Sequence, residues 1–140
     1  MIQRLLLAGL LLVATGCDSS TSEADTGTYR ATLFDAEDAP VYEGELRLVI
    51  DAEGPEDAAR DVSGTWTLQG VGDQPDPDPA SGALAGRLSA GRIVLTLQTG
   101  ASDSGIELDG AYSSDRVEGT WSRITIAGPV PAGAFVAVQD

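Results

Sequence analysis

Four strands in two consecutive hairpins are predicted by the segment Gly82–Arg123, GALAGRLSAGRIVLTLQTGASDSGIELDGAYSSDRVEGTWSR. Over four short runs, apolar side chains and glycines occupy every second position, and polar turns such as Ser89–Arg92 and Ser113–Asp115 separate the runs. A period of two places one face of each strand in a core and the other in water, which is typical of an antiparallel meander. The stretch therefore predicts an antiparallel sheet whose neighbouring strands are joined by hairpins.

The same alternation continues on both sides of this stretch. Before it, Tyr29–Phe34, Tyr42–Ile50 and Val62–Leu68 each alternate apolar and polar residues. After it, Gly128–Pro131 predicts a turn, and Ala134–Val138 predicts a short closing strand. The sequence therefore predicts an all-β domain, an antiparallel meander of about eight strands with no helix longer than one turn.

Five glycines lie in phase with the apolar residues of their own strands. Glycine inside a strand weakens it unless the backbone bends sharply or something approaches closely, and a sheet that coils and closes on itself needs such positions. The glycines favour a small closed or partly open up-and-down β-barrel, although a glycine-rich composition in an open sandwich is the alternative. These residues are Gly44, Gly64, Gly86, Gly110 and Gly119.

The alternation changes phase after Trp121, because Ile124 and Ile126 leave the register of Val117 and Trp121. An extra residue in one strand shifts the phase by one, so the pattern predicts a β-bulge in this strand. The segment Val117–Ser122 also resembles an earlier segment, residues 62–67, and both contain Gly-Thr-Trp. The repeat indicates the same structural role in two strands rather than a duplicated binding site.

The first residues predict a secretory signal peptide. Arg4 precedes an apolar run, Leu5–Val13, that is much shorter than the roughly 20 residues a membrane-spanning helix needs. The small residues in Ala14–Cys17 resemble the lipobox of bacterial lipoproteins. The resemblance implies cleavage between Gly16 and Cys17 and attachment of diacylglycerol to Cys17. An ordinary signal peptide with an incidental cysteine is the alternative.

The predicted organisation is therefore a signal peptide at residues 1–16, a lipidated Cys17 with a flexible acidic tether at 17–27, and one barrel-like domain at 28–140. The tether is predicted because residues 18–27 contain no apolar side chain larger than alanine. Lipid attachment implies a location in the cell envelope, anchored to a bacterial membrane and facing the periplasm or the exterior. The choice between inner and outer membrane stays open.

The composition of the chain limits the kinds of catalytic and binding site that it can form. The chain has 22 acidic and 8 basic residues, a net charge of −14, one cysteine and no histidine. Such a charge opposes nucleic-acid binding, and without histidine neither a Ser-His-Asp nor a Cys-His site can be built. The acidic pairs Glu43/Glu45 and Glu107/Asp109 are out of phase with the core, and the 73–78 loop lacks the glycine and glutamate of an EF-hand. We expect no enzymatic activity, no metal and no cofactor.

Gly27-Thr28-Tyr29 at the first strand, followed by about eight meander strands, resembles the calycin group of lipocalins and avidins, and Gly82–Gly86 is similar to an early avidin hairpin. The resemblance implies a fold, and it carries over no ligand residue. Two functions are left open. The first is a non-catalytic lipoprotein that docks another envelope protein, and the second is a small-ligand-binding barrel. The cavity of that barrel would be lined by Trp66, Tyr112 and Trp121, whereas a filled interior would favour docking.

Overall fold

The computed structural model describes residues 25–52, 58–72, 81–99 and 104–140, and these residues form eight β-strands. Cys17, the signal peptide and the 73–78 loop lie outside the described residues. The strands are β1 (Asp25–Phe34), β2 (Pro40–Ile50), β3 (Arg60–Gly70), β4 (Ser81–Ser89), β5 (Arg92–Gln98), β6 (Gly105–Ser113), β7 (Arg116–Thr125) and β8 (Gly128–Gln139).

Each strand pairs antiparallel with the next one in the chain, and the last strand pairs with the first. The closing pair joins Tyr29–Leu33 of β1 to Phe135–Gln139 of β8. The result is a closed up-and-down barrel, and no helix occurs in the described ranges. The predicted all-β meander of about eight strands is confirmed, and closure rather than an open sandwich is the observed outcome.

The interior is filled by apolar side chains, each no more than 6% exposed. Among the described residues, no buried residue is charged, and apart from the tyrosine hydroxyls and tryptophan indoles none has a polar side chain. Burial of this apolar surface is the main stabilising contribution to the barrel. The set comprises Tyr29, Ala31, Leu33, Tyr42, Leu46, Leu48, Ile50, Val62, Trp66, Leu68, Leu84, Leu88, Ile93, Leu95, Leu97, Ile106, Leu108, Val117, Trp121, Phe135 and Ala137.

At each of the five in-phase glycines, the backbone of the paired neighbouring strand comes very close to the glycine; we call these sites strand crossings. A β-carbon added at Gly44 would overlap the carbonyl oxygen of Thr67, and one added at Gly119 would overlap that of Asp109. Each of the other three meets a carbonyl oxygen of the adjacent strand in the same way, and Gly64 also has a φ of +149°. A tightly coiled barrel leaves no room for a side chain at these crossings, which is why glycine is needed there.

The last strand is longer than the sequence predicts. The turn predicted at Gly128–Pro131 is wrong, because this segment is the first part of β8, and the predicted strand Ala134–Val138 covers only part of the observed one. Gly128–Gly133 pairs with β7, whereas pairing with β1 begins only at Phe135. Proline has no N–H to donate, and it is tolerated where one edge of a strand is open. The prolines at 129 and 131 are therefore compatible with a strand here.

The β-bulge occurs next to Trp121 as predicted, but it lies in β8, whereas the sequence predicts it in β7. The register of β7 and β8 shifts between Trp121 and Ser122, and the extra residue is Ala132 of β8. In contrast, β7 pairs with β6 without interruption as far as Ile124. Consequently Ile124 stays off the core, and Ile126 lies in the turn after β7 with 90% of its surface exposed.

Candidate functional site

The barrel has two ends with different properties. The terminal end contains the start of β1 at Asp25, the Ala90–Gly91 and Ser114–Asp115 turns, and the end of β8 at Gln139. The far end contains the Asp35–Ala39 turn and the turn between β7 and β8. The alternating strand directions place these groups at opposite ends, so a feature at one end does not contribute to a site at the other.

Both tryptophans lie in the half of the barrel nearest the far end, and both are packed into the core at 1–2% exposure. The indole nitrogen of Trp121 donates a hydrogen bond of 2.7 Å to the carbonyl oxygen of Phe34. The indole nitrogen of Trp66 lies 3.1 Å from the carbonyl oxygens of both Ala83 and Gln98. Because backbone groups satisfy both indoles, the arrangement is that of structural core residues.

An arginine covers the interior at the far end. The guanidinium of Arg123 lies 5.7 Å from the ring centre of Tyr42 and 5.5 Å from that of Trp121, and it donates a 2.9 Å hydrogen bond to the Tyr42 hydroxyl. The two rings meet edge to face with centres 6.0 Å apart. Cation–π contacts and the hydrogen bond hold this group in place. Sequence reasoning missed Arg123, although the unbroken alternation from Trp121 would have placed it toward the core.

Tyr112 lies at the terminal end, in a pocket of about 180 Å³. The hydroxyl of Tyr29 donates a 3.3 Å hydrogen bond to the carbonyl oxygen of Ser114 there. Burial raises the pKa of the Tyr29 hydroxyl, and the neighbouring side chain of Tyr112 raises this pKa further. The pocket is lined by Asp25, Thr26, Gly27, Tyr29, Leu48, Ile50, Tyr112, Ser114 and Gln139.

The structure thus separates the predicted ligand-lining residues. Tyr112 lines the terminal pocket, whereas Trp66 and Trp121 are core residues toward the far end and do not line it. Binding of a small molecule by any of them stays a prediction.

The arginines on the outer wall are engaged with acidic neighbours. Arg92 makes two hydrogen bonds to Asp109, at 2.9 and 2.6 Å, and this contact holds the pKa of the Asp109 carboxyl below its usual range. Within the described ranges, no cluster of acidic, histidine or cysteine side chains could hold a metal ion. Ion pairs between described residues include Arg30–Asp140, Arg47–Glu45, Arg60–Asp25, Arg87–Asp61, Arg92–Asp109 and Arg116–Glu118.

The hairpin between β7 and β8 ends in an exposed apolar segment, Thr125–Pro131, which we call the β7–β8 tip. Ile126 is 90% exposed and Val130 is 50% exposed, and both prolines of the tip are exposed as well. The tip contains no charged residue, although the chain as a whole is strongly acidic. An exposed apolar group of this kind is a candidate contact surface.

The described residues thus form an eight-stranded up-and-down β-barrel with an apolar core. No protein-family model matches the chain, and no curated protein matches it significantly. The described ranges contain no helix with the length and apolarity needed to cross a bilayer.

Proposed function

We propose that this protein is a lipid-anchored envelope lipoprotein whose barrel is a non-catalytic module that docks another envelope protein. The observation that supports docking is the packed interior. In ligand-carrying barrels a cavity occupies the interior, whereas here the buried side chains are apolar groups that include Trp66, Trp121 and Phe135. Every buried polar side-chain atom among the described residues has a hydrogen-bond partner within the protein. None of these atoms therefore needs a ligand to satisfy it.

The anchor is the second component of the proposal. The lipobox-like segment ending at Cys17 supports lipid attachment. The tether is predicted to extend to residue 27, whereas β1 already begins at Asp25, so the last three residues of that range belong to the barrel. Asp25 belongs to the terminal end, so the anchored protein would hold this end nearest its own membrane and present the far end to other envelope components.

A ligand-binding barrel is the second candidate, and one observation favours it. The terminal pocket contains the two phenols of Tyr29 and Tyr112 beside the apolar side chains of Leu48 and Ile50. Its volume of about 180 Å³ is smaller than the roughly 300–1,000 Å³ of sites for drug-sized molecules. Such a pocket would admit only a small compound, and it occupies one end rather than the centre of the barrel.

Site-directed photo-crosslinking of the full-length protein in its own membranes tests the docking function. A photoreactive residue would replace exposed positions distributed over both ends and the outer wall. We expect discrete, protease-sensitive adducts with one envelope protein from a contiguous group of positions. No protein adduct from any position would overturn docking. Saturable binding of one small molecule that is abolished by Tyr112→Ala, in a variant that keeps its fold, would establish the ligand-binding alternative instead.

A further inference from the structure

We propose that the β7–β8 tip is the docking element, and that it inserts into an apolar socket of a partner protein whose rim carries lysine and arginine. This inference rests on the proposed docking function and specifies its surface. It is carried by three observations: the tip extends past the closing pair of strands, it is apolar and uncharged, and an acidic turn lies next to its base.

The tip extends beyond the place where the barrel closes. Pairing between β8 and β1 begins at Phe135, whereas β8 pairs with β7 from Gly128 onward. The six residues from Gly128 to Gly133 thus belong to a two-stranded ribbon with one open edge. Thr125 fixes the turn, since its hydroxyl donates to the carbonyl oxygen of Gly128 at 2.8 Å and accepts from the backbone N–H of Ala127 at 3.2 Å. The apolar side chains are therefore presented on an ordered support.

The mode of contact is set by two prolines. An open strand edge normally offers N–H and C=O groups for pairing with a strand of another protein. Pro129 and Pro131 remove N–H donors at alternate positions of this edge. Strand addition is therefore disfavoured, and the side chains of Ile126 and Val130 are what the tip presents to a partner.

The charge of the surroundings indicates the chemistry of the partner. The backbone of Phe34 and Asp35 packs against Gly133 at the base of the ribbon. The Asp35 carboxylate accepts hydrogen bonds from the N–H groups of Glu37 and Ala39, at 2.8 and 3.0 Å, which fixes the Asp35–Ala39 turn. The side chains of Glu37 and Asp38 are exposed in this turn. An apolar socket with a basic rim complements an apolar tip beside two carboxylates.

The same charges argue against two other binding partners for the β7–β8 tip, a second copy of the chain and a lipid bilayer. Two copies of this chain, each with a net charge of −14, would bring like charges together if they joined through the far end. An anionic bilayer surface would also repel the exposed carboxylates of Glu37 and Asp38. Moreover, the chain enters β1 at the opposite end of the barrel, which turns the β7–β8 tip away from the membrane of the proposed anchor.

The test uses a photoreactive phenylalanine derivative at position 126, at position 130 or, as the matched control, at Thr120, which is exposed on the outer wall of β7. The full-length protein is expressed in its native cells, and crosslinking is carried out in the intact envelope. We expect one protease-sensitive adduct from 126 and 130 and none from 120. Mass spectrometry of the adduct should identify apolar partner residues flanked by lysine or arginine.

Two variants test the apolar and the charged contributions separately. With the crosslinker at 130, Ile126→Asp should lower the adduct yield by about tenfold or more, because it would bury an unpaired charge in the socket. The double variant Glu37→Gln/Asp38→Asn should weaken the dependence of the adduct yield on salt, since it removes the charges that face the basic rim. Circular dichroism spectra matching that of the wild type would show that the variants keep the barrel.

The remaining outcomes separate this inference from the proposed function. Protein adducts from the wall or the terminal end, with none from 126 or 130, would leave docking intact and overturn the role of the tip. A lipid adduct, or an adduct of twice the mass of the chain, would replace the partner protein by a membrane or by a second copy. An unchanged adduct yield in Ile126→Asp would also overturn the inference. The absence of protein adducts from every position would overturn both.

Discussion

The indole nitrogen of Trp121 donates a hydrogen bond of 2.7 Å to the carbonyl oxygen of Phe34, which lies 87 residues earlier in the chain. Trp121 belongs to β7 and Phe34 ends β1, and β8 lies between these two strands. The bond therefore spans the last strand at the place where its pairing with β1 has not yet begun. It ties the far end of the barrel together where the closing ladder is absent.

Loss of this hydrogen bond should destabilise the barrel. We expect Trp121→Phe to lower the free energy of unfolding by about 1–3 kcal/mol, because the part-buried acceptor at Phe34 loses its hydrogen-bond donor. Trp66→Ala and Trp121→Ala should each cost about 3–5 kcal/mol, since both remove a large core side chain. Urea denaturation measures these values. The exposed control Ile126→Ala should change stability by less than about 0.5 kcal/mol, and equal losses in control and core variants would contradict the structural role of the indoles.

The strand crossings give a second prediction. Gly44→Ala places a β-carbon on the carbonyl oxygen of Thr67, and relief requires movement of backbone rather than of a flexible side chain. We expect a loss of stability at or above the upper end of the roughly 1–3 kcal/mol typical of overpacking.

Gly105→Ala is the matched control for Gly44→Ala. Its β-carbon would lie 3.1 Å from the carbonyl oxygen of Leu97 and 3.3 Å from Cδ1 of Ile124, so small shifts accommodate it. Thermal denaturation of both variants should rank Gly44→Ala clearly below Gly105→Ala. The reverse order would show that the crossing at Gly44 is not a tight one.

The buried phenol of Tyr29 predicts alkaline sensitivity. Its pKa is raised in the folded protein, mainly by burial and further by the neighbouring side chain of Tyr112. The unfolded chain therefore releases this proton at lower pH than the folded chain does. The contribution of Tyr29 to stability is complete below its unfolded pKa of about 10 and is lost as the pH rises above that value.

The measurement is urea denaturation between pH 8 and 11.5, together with a tyrosinate absorbance titration. Wild-type stability should fall above about pH 10, and Tyr29→Phe should show a shallower fall because it has no phenol to ionise. In the wild-type titration, Tyr29 should ionise at a higher pH than an exposed tyrosine does. Identical pH profiles for the two proteins would contradict the assignment of the raised pKa to Tyr29.

The lipid anchor is tested directly at Cys17. We expect mass spectrometry of the protein from its own membranes to show acyl chains on Cys17 at the mature N-terminus. Cys17→Ser should release the barrel from the membrane fraction, because the chain would lack the acyl groups that hold a protein to a bilayer. An unmodified thiol at Cys17, or a mature chain that starts elsewhere, would contradict lipidation.

Strand positions were predictable because burial follows the period of two. Residues such as Leu95 and Leu108 alternate with polar neighbours, and each lies in the core at 0% exposure. The glycines at the crossings also carried information about closure, as at Gly44 and Gly119. The extent of β8 was not predictable from local signals, because Pro129 and Pro131 are typical of turns. Only pairing with β7 on one side, with the other edge open, makes them acceptable in a strand.

The roles of the candidate site residues were harder to predict from the sequence than the positions of the strands. The positions of Trp66 and Trp121 in the alternation favour core packing but also fit a cavity wall. The choice depends on partners distant in the chain, such as the carbonyl of Phe34. The phase change after Trp121 predicts a bulge in β7, and with such a bulge Arg123 is not expected to face the core. The structure instead places the extra residue at Ala132 and leaves the arginine over the rings of Tyr42 and Trp121.

The closing pair of strands has a consequence for the order of folding. Seven of the eight strand pairings join neighbours in the chain, whereas the eighth brings Tyr29 to Gln139. Local hairpins close small loops at little entropic cost, but the eighth pairing must close a loop of more than 100 residues. A chain that folds from its N-terminal side can therefore assemble seven ladders in succession, and one edge of β1 stays unpaired until β8 joins it.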